Sequence, residues 1–226
     1  MGIFDLFQRK DKGPGIESME VDQMGWKEVL SNKHIKVWQS EEFPAQLSLN
    51  FFPSAPDLPR PLSDVEKLRK FYRKKLARSE GAVLKVESLQ IQGYRALETL
   101  FRIPQKKQPG FIYVGAFTLP FADRIYVVKV QEQEFTHIGE REKMIEQKML
   151  EEKPQEVDQD GKPLGWEFDP YDPDLKTRYT MNLSEEMRFD LFFPDHPLSH
   201  VRQYMYRLKA SLSLSDQLGE LQALED

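Results

Sequence analysis

No cysteine occurs anywhere in the 226 residues. That absence removes disulfides, thiolate metal sites and cysteine nucleophiles together, and it fits a reducing cytoplasm. Histidine is also scarce: His34, His137, His196 and His200 are the four in the chain. No apolar run approaches the roughly 18 residues that a bilayer span requires, and no signal-peptide pattern precedes a cleavage site. A soluble, cytoplasmic chain is the expectation. Excess positive charge is missing too. With 32 Lys and Arg against 37 Asp and Glu the net charge is −5, which argues against nucleic acid as the principal partner. Glycine-rich phosphate loops and the G-x-S-x-G nucleophile elbow are absent, so no catalytic residue is assigned and no cofactor is expected.

What is present is apolar material in regular spacing. Hydrophobic residues make up 39% and aromatics 12% of the chain, which indicates a globular protein, while 31% charged residues and a mean hydropathy of −0.61 indicate a well-solvated surface. The richest stretch runs from Gly93 to Phe135. In its first strand Leu97, Thr99, Phe101 and Ile103 point one way and Ala96, Glu98, Leu100 and Arg102 the other. Pro104 to Gly110 (PQKKQPG) is a turn. Phe111 to Leu119 is apolar at nearly every position, as in a central strand covered on both faces. After a turn at Asp123 and Arg124, Ile125 to Val130 is β-branched and aromatic and becomes polar at QEQE. The spacing predicts an antiparallel meander with elements packed on both sides.

Upstream, HIKVWQS and AQLSLNFF read as two strands, with Leu47, Leu49 and Phe51 on one face. Met24 to Leu30 (MGWKEVL) is a short apolar patch, and the prolines of SAPDLPRPL make an extended connector. A helix is predicted from the box S-D-V-E, with Ser63 capping the Glu66 amide. It carries Val65, Leu68, Phe71, Tyr72 and Leu76 on its apolar arc, and Lys75 inside that arc must snorkel or meet a partner. Its opposite face holds Lys67, Arg69, Lys70, Arg73, Lys74 and Arg78. Ala82 to Ile91 returns as a strand. A helix with Met144, Ile145 and Met149 follows the meander and ends before Pro154. The stretch Glu151 to Asp174 is acidic, and Asp195-His196-Pro197 caps a last helix carrying Leu198, Val201, Met205 and Leu208. Leu218, Leu221 and Leu224 repeat at spacing three, as in a packing or partner-binding tail. The start of the chain places Ile3, Phe4 and Phe7 on one helical face before Arg9, Lys10 and Lys12, a pattern suited to a partner groove or an anionic membrane surface.

Two constellations invite a metal reading. Glu156 to Glu167 (EVDQDGKPLGWE) imitates an EF-hand loop in its carboxylate and glycine spacing. It departs at its first residue and at Pro163, and it lacks the flanking helices, so an acidic β-turn accounts for it. His196 and His200 are four apart, half of a zinc site that Asp190 or Asp195 would have to complete, but Pro197 puts His196 ahead of the helix. No metal ligand is assigned.

The order of two strands, a long helix, VESLQIQGYRALE, two long strands closing in DRIYVVKV, and a further helix resembles the PsbP-like α/β/α superfamily over residues 26–152. Its members include an extrinsic photosystem subunit, a Ran-binding transport factor and bacterial chaperones of secreted effectors. The resemblance implies a binding module without catalysis and transfers no residue role.

The fold expected is α+β: a twisted antiparallel sheet of about six strands with helices packed on it, preceded by an amphipathic segment over 1–15 and followed by an α/β extension over 153–226. The function expected is an adaptor or chaperone-like module with a protein partner. Its contacts are assigned to Phe4 and Phe7 and to Lys67, Lys70, Arg73 and Lys74. Two alternatives stand beside it. One is a ligand-binding protein or enzyme with a pocket between sheet and extension, near Trp166, Tyr171, Asp190 and His196. The other is attachment to an anionic membrane through the N-terminal segment.

Overall fold

The computed structural model describes residues 13–175, 177 and 179–224. Phe4 and Phe7 therefore lie outside the described residues. In chain order the elements are β1 (Met19–Glu20), β2 (Lys27–Ser31), β3 (Ile35–Gln39), β4 (Ala45–Phe52), α1 (Val65–Ala77), β5 (Ala82–Ile91), β6 (Tyr94–Pro104), β7 (Phe111–Pro120) and β8 (Ile125–Gln133). They continue with α2 (Glu140–Glu152), β9 (Glu167–Phe168), β10 (Met181–Asn182), α3 (Pro197–Ser211) and β11 (Ser213–Leu214).

Seven of these strands form one antiparallel sheet in the order β2-β3-β4-β8-β7-β6-β5. Two meanders, β2–β4 and β5–β8, meet where β8 pairs with β4, Leu47 opposite Val130 and Leu49 opposite Val128. The alternation read in Gly93–Phe135 sorts its side chains to two faces. Ala96 and Leu100 join Tyr113, Phe117, Leu119, Val128 and Val130 in the larger core. Leu97, with Phe101 and Ile103 beside it, joins the smaller one. The seventh strand, β2, is the one that the apolar patch did not reveal. It is an edge strand whose five residues are all exposed, so no buried alternation marks it.

Helices cover both faces. Leu198, Val201, Met205 and Leu208 of α3 belong to the larger core. Gly115 lets the helix approach: a β-carbon there would stand 2.7 Å from Met205 Cγ and 3.1 Å from Val201 Cγ1. On the other face Leu68 and Leu76 of α1 pack with Val83, Val86 and Leu97. Helix α1 starts one residue later than the S-D-V-E box implies. Its cap is Asp64, whose carboxylate accepts from the Lys67 amide at 3.0 Å; a charged acceptor suits the positive end of the helix. Lys75 does snorkel, lying over the Phe71 ring and 3.6 Å from Asp57. Leu218 and Leu224 of the C-terminal segment are buried, so those two leucines pack. Among the described residues no helix is long and apolar enough to cross a membrane.

Candidate functional site

The segment 180–197 lacks long regular structure, and the carbonyls it carries under α3 need donors. Three arginines from three elements supply them. Arg102 of β6 donates to the Thr180 carbonyl at 2.9 Å and to Glu185 at 2.8 Å. Arg141 of α2, almost wholly buried, donates through Nε to the Ser184 carbonyl at 2.7 Å, through Nη1 to Ser199 Oγ at 3.0 Å, and through Nη2 to the Glu186 carbonyl and to Asp190 at 2.9 Å. Arg202 of α3 reaches Asp190 at 2.7 Å and the Glu185 carbonyl. Burying a guanidinium is tolerable only when its donors and its charge are both met. Glu185, Asp190 and Glu142 meet the charge here, with Glu142 3.7 Å from Arg102. Burial pushes the Glu142 and Glu185 carboxyls upward, while Arg102 pulls both back.

Beside this network the buried face of β8 ends in two glutamates. Tyr126, Val128 and Val130 share one stripe, and Glu132 and Glu134 prolong it, both almost fully buried. Each is met by a histidine from the start of α3. His196 Nδ1 accepts from the Leu198 amide at 3.1 Å as the cap of the helix. Its proton therefore sits on Nε2, which faces Glu134 Oε1 at 3.3 Å. The other Glu134 oxygen accepts from the Phe111 amide at 2.8 Å. His200 Nδ1 lies 2.9 Å from Glu132 Oε1, and this hydrogen bond raises the imidazole above its usual 6.5 against the opposing effect of burial. Glu132 Oε2 is buried and makes no hydrogen bond.

Over this polar floor lies a cleft of 660 Å³. Its walls are the β3–β4 hairpin (Glu42, Phe43, Pro44), the end of β8 running to His137, the first turn of α2 and the segment Phe192–Pro197. Large apolar side chains face solvent in it: Phe43 is 40% exposed, Met144 53%, Phe135 68% and Phe192 69%. Leu191 and Met187, earlier in the same segment as Phe192, are 89% and 73% exposed. Single exposed apolar residues are ordinary, but several lining one concavity mark a binding surface. The volume is in the range of ligand and peptide-anchor pockets.

The residues singled out from the sequence fall elsewhere, with one exception. His196 lines the cleft, and Asp190 holds Arg141 and Arg202 beneath it. Trp166 and Tyr171 do not line it; the Tyr171 hydroxyl accepts from the Val86 amide at 2.8 Å, and its ring carries the Arg69 guanidinium 3.4 Å from the centroid. On α1, Lys70 and Lys74 are exposed, and Lys67 donates to the Arg60 carbonyl. Arg73 is engaged within the chain, with Nε 2.7 Å from Asp169 Oδ2 in a two-pronged pair whose carboxylate is buried. The EF-hand-like stretch is a turn. Asp158 Oδ1 accepts from the Asp160 and Lys162 amides at 2.9 Å, and Val157 bridges to Pro163. Among the described residues no three His, Asp or Glu side chains gather as a metal-holding group. His196 and His200 each face a glutamate, Glu134 just past the end of β8 and Glu132 within it.

No protein-family model matches the chain, and no curated protein matches it. Solved structures do. A Saccharomyces cerevisiae Ran-binding protein, Mog1p, is similar at 8% identity and a TM-score of 0.39, over 87% of this chain and 86% of that one. A Bacteroides thetaiotaomicron protein is similar at 6% identity and 0.34, over 54% of this chain but only 40% of its own length. LpqN of Mycobacterium tuberculosis, involved in cell envelope biogenesis, is similar at 12% identity and 0.31, over 61% of this chain and 79% of that one. We draw no functional conclusion from similarities of this size.

Proposed function

We propose that the chain is a protein-interaction module without catalytic activity, and that it receives a partner segment in the cleft between the β3–β4 hairpin, the start of α2 and residues 192–197. The observation that carries this reading is the set of exposed Phe43, Phe135, Met144 and Phe192 side chains converging on one concavity. Burying such side chains under a partner is worth about 1.5–3 kcal/mol each when complete. The network below ties the start of α2 to the segment before α3, which pre-organises that wall of the cleft and lowers the ordering cost of association. Both ring nitrogens of His196 are spent on the helix cap and Glu134.

The test is affinity capture compared between the wild-type chain and Phe135→Asp/Phe192→Asp. Both positions are exposed, so stability should shift by no more than about 0.5 kcal/mol per site. A stoichiometric partner held by the wild type and lost by the double variant is expected. A partner retained equally by both proteins would remove the cleft from the interaction.

A further inference from the structure

Carboxylates outnumber guanidinium and ammonium groups in the lining of the cleft, four to one. Glu42, Glu132, Glu140 and Asp195 contribute carboxylates. The cationic groups that line it are directed elsewhere. Arg141 gives its donors to Ser184, Glu186, Ser199 and Asp190. His196 faces Glu134, and His137 pairs with Glu140 at 2.8 Å on the outer edge. Lys148, near the rim, lies over the Phe192 ring and 4.0 Å from Glu152.

One of these carboxylates is incompletely served. Glu132 accepts from His200 on Oε1, while Oε2, equally buried, has no donor. The Tyr204 phenol approaches the same carboxylate and is pushed well up, by burial first and then by Glu132. A buried carboxylate oxygen left without a donor is costly, and a cation entering beside it would recover that cost. The rings of Phe43, Phe135 and Phe192 add faces and edges on which an alkyl stem or a guanidinium packs.

We propose that the occupant of the cleft is a polypeptide segment carrying lysine or arginine among apolar side chains, with a cation directed at the Glu132 carboxylate and others at Glu42, Glu140 and Asp195. The proposal rests on the docking reading above and names the chemistry of the partner. The apolar side chains cover the phenylalanines and supply affinity; the cations set orientation and reject acidic competitors.

The test uses a displayed library of random peptides of about 15 residues, selected on the full chain and counter-selected on Phe135→Asp/Phe192→Asp. Enriched sequences should combine Lys or Arg with aromatic and aliphatic residues. Their affinity should fall at least about tenfold in Glu42→Lys/Glu140→Lys, which alters only exposed positions, and again as salt rises from about 50 to 300 mM. Cleft-dependent peptides that are acidic or show no charge bias would overturn the cationic occupant and leave the docking reading standing. Failure to enrich any peptide that distinguishes the two proteins would overturn the docking reading itself. A wild-type chain that sediments as a dimer and becomes monomeric in Phe135→Asp/Phe192→Asp would replace the foreign segment with a second copy, again against the proposal.

Discussion

Arg141→Met isolates what the buried arginine network contributes. Methionine fills most of the volume but provides no donor, so the change leaves packing largely intact and removes the four hydrogen bonds of the guanidinium. Their fates differ. The Ser199 hydroxyl can rotate toward another acceptor, and Glu186 is only half-buried, so its carbonyl can turn to water. Asp190 keeps Arg202 at 2.7 Å. The Ser184 carbonyl, in a residue with no exposed surface, is stranded at a cost of about 1–3 kcal/mol, and the lost charged bond to Asp190 adds about 1.5–3 kcal/mol before Arg202 compensates. The expected loss is about 3–5 kcal/mol, the range for a buried pair broken from one side. That is a large share of the 5–15 kcal/mol typical of a domain. Arg141→Lys should cost about half as much, because one ammonium can reach Asp190 but cannot fork to Ser184 and Ser199 together. Urea unfolding followed by far-ultraviolet circular dichroism, with the slope held common, measures both. Amide exchange in α2 and in 183–190 should accelerate more than in β4 or β8, since the arginine ties the former pair together. An Arg141→Met midpoint within about 1 kcal/mol of wild type would refute the reasoning, since the network would then be redundant.

Three further outcomes follow from the same geometry. His200 holds its proton more tightly folded than unfolded, because Glu132 receives it. Its contribution is therefore complete below about pH 6.5 and is lost as pH rises through the higher folded value; in urea titrations from pH 5 to 9 that decline should be absent from His200→Gln. Gly115→Val drives its side chain into Met205 and Val201 and should cost about 1–3 kcal/mol by overpacking, read as a lowered melting temperature. On α1, Lys70→Glu/Lys74→Glu should leave stability within about 0.5 kcal/mol of wild type, whereas Arg73→Glu sets a second carboxylate against buried Asp169 and should destabilise by about 3–5 kcal/mol. Equal melting temperatures for the two α1 variants would show that the Arg73–Asp169 pair is not holding the C-terminal segment to the helix.

Much of the sheet was legible because its strands bury one stripe and expose or half-bury the other. The period-two pattern of β6, the apolar run of β7 and the punctuation of PQKKQPG and of Asp123-Arg124 each reflect a local rule that tertiary packing did not override. Edge strand β2 was illegible for the converse reason: Lys27 to Ser31 are exposed on both faces, so burial wrote no periodicity into them. The basic face of α1 was visible as composition, but composition does not tell which of its cations are taken. Arg69 and Arg73 are drawn to Tyr171 and Asp169, about 100 positions further along the chain, and no spacing rule reaches that far.

The site itself had left a signal of a different kind. Along β8 the stripe Tyr126, Val128, Val130 runs straight on into Glu132 and Glu134 at the same period of two, so two carboxylates occupy the buried face, while the nearest cation in sequence, Lys129, falls on the opposite phase. In α2, Arg141 stands four residues before buried Ile145 and thus on the same inward face. A charged residue that keeps to the apolar period must find partners from elsewhere in the fold, since burial without them costs several kcal/mol. Polarity at the QEQE end of β8 is easily mistaken for exposure. The alternation gives the opposite answer, because the phase of a strand does not change where its residues become charged. The charges that hold phase in this way, Glu132, Glu134 and Arg141, stand at the end of β8 and in α2, and the cleft with its exposed aromatic side chains lies where those two elements meet residues 192–197. Buried charge in phase with a core is therefore the pattern that points to the cleft, and the carboxylates in its lining are what the proposed cationic occupant is argued from.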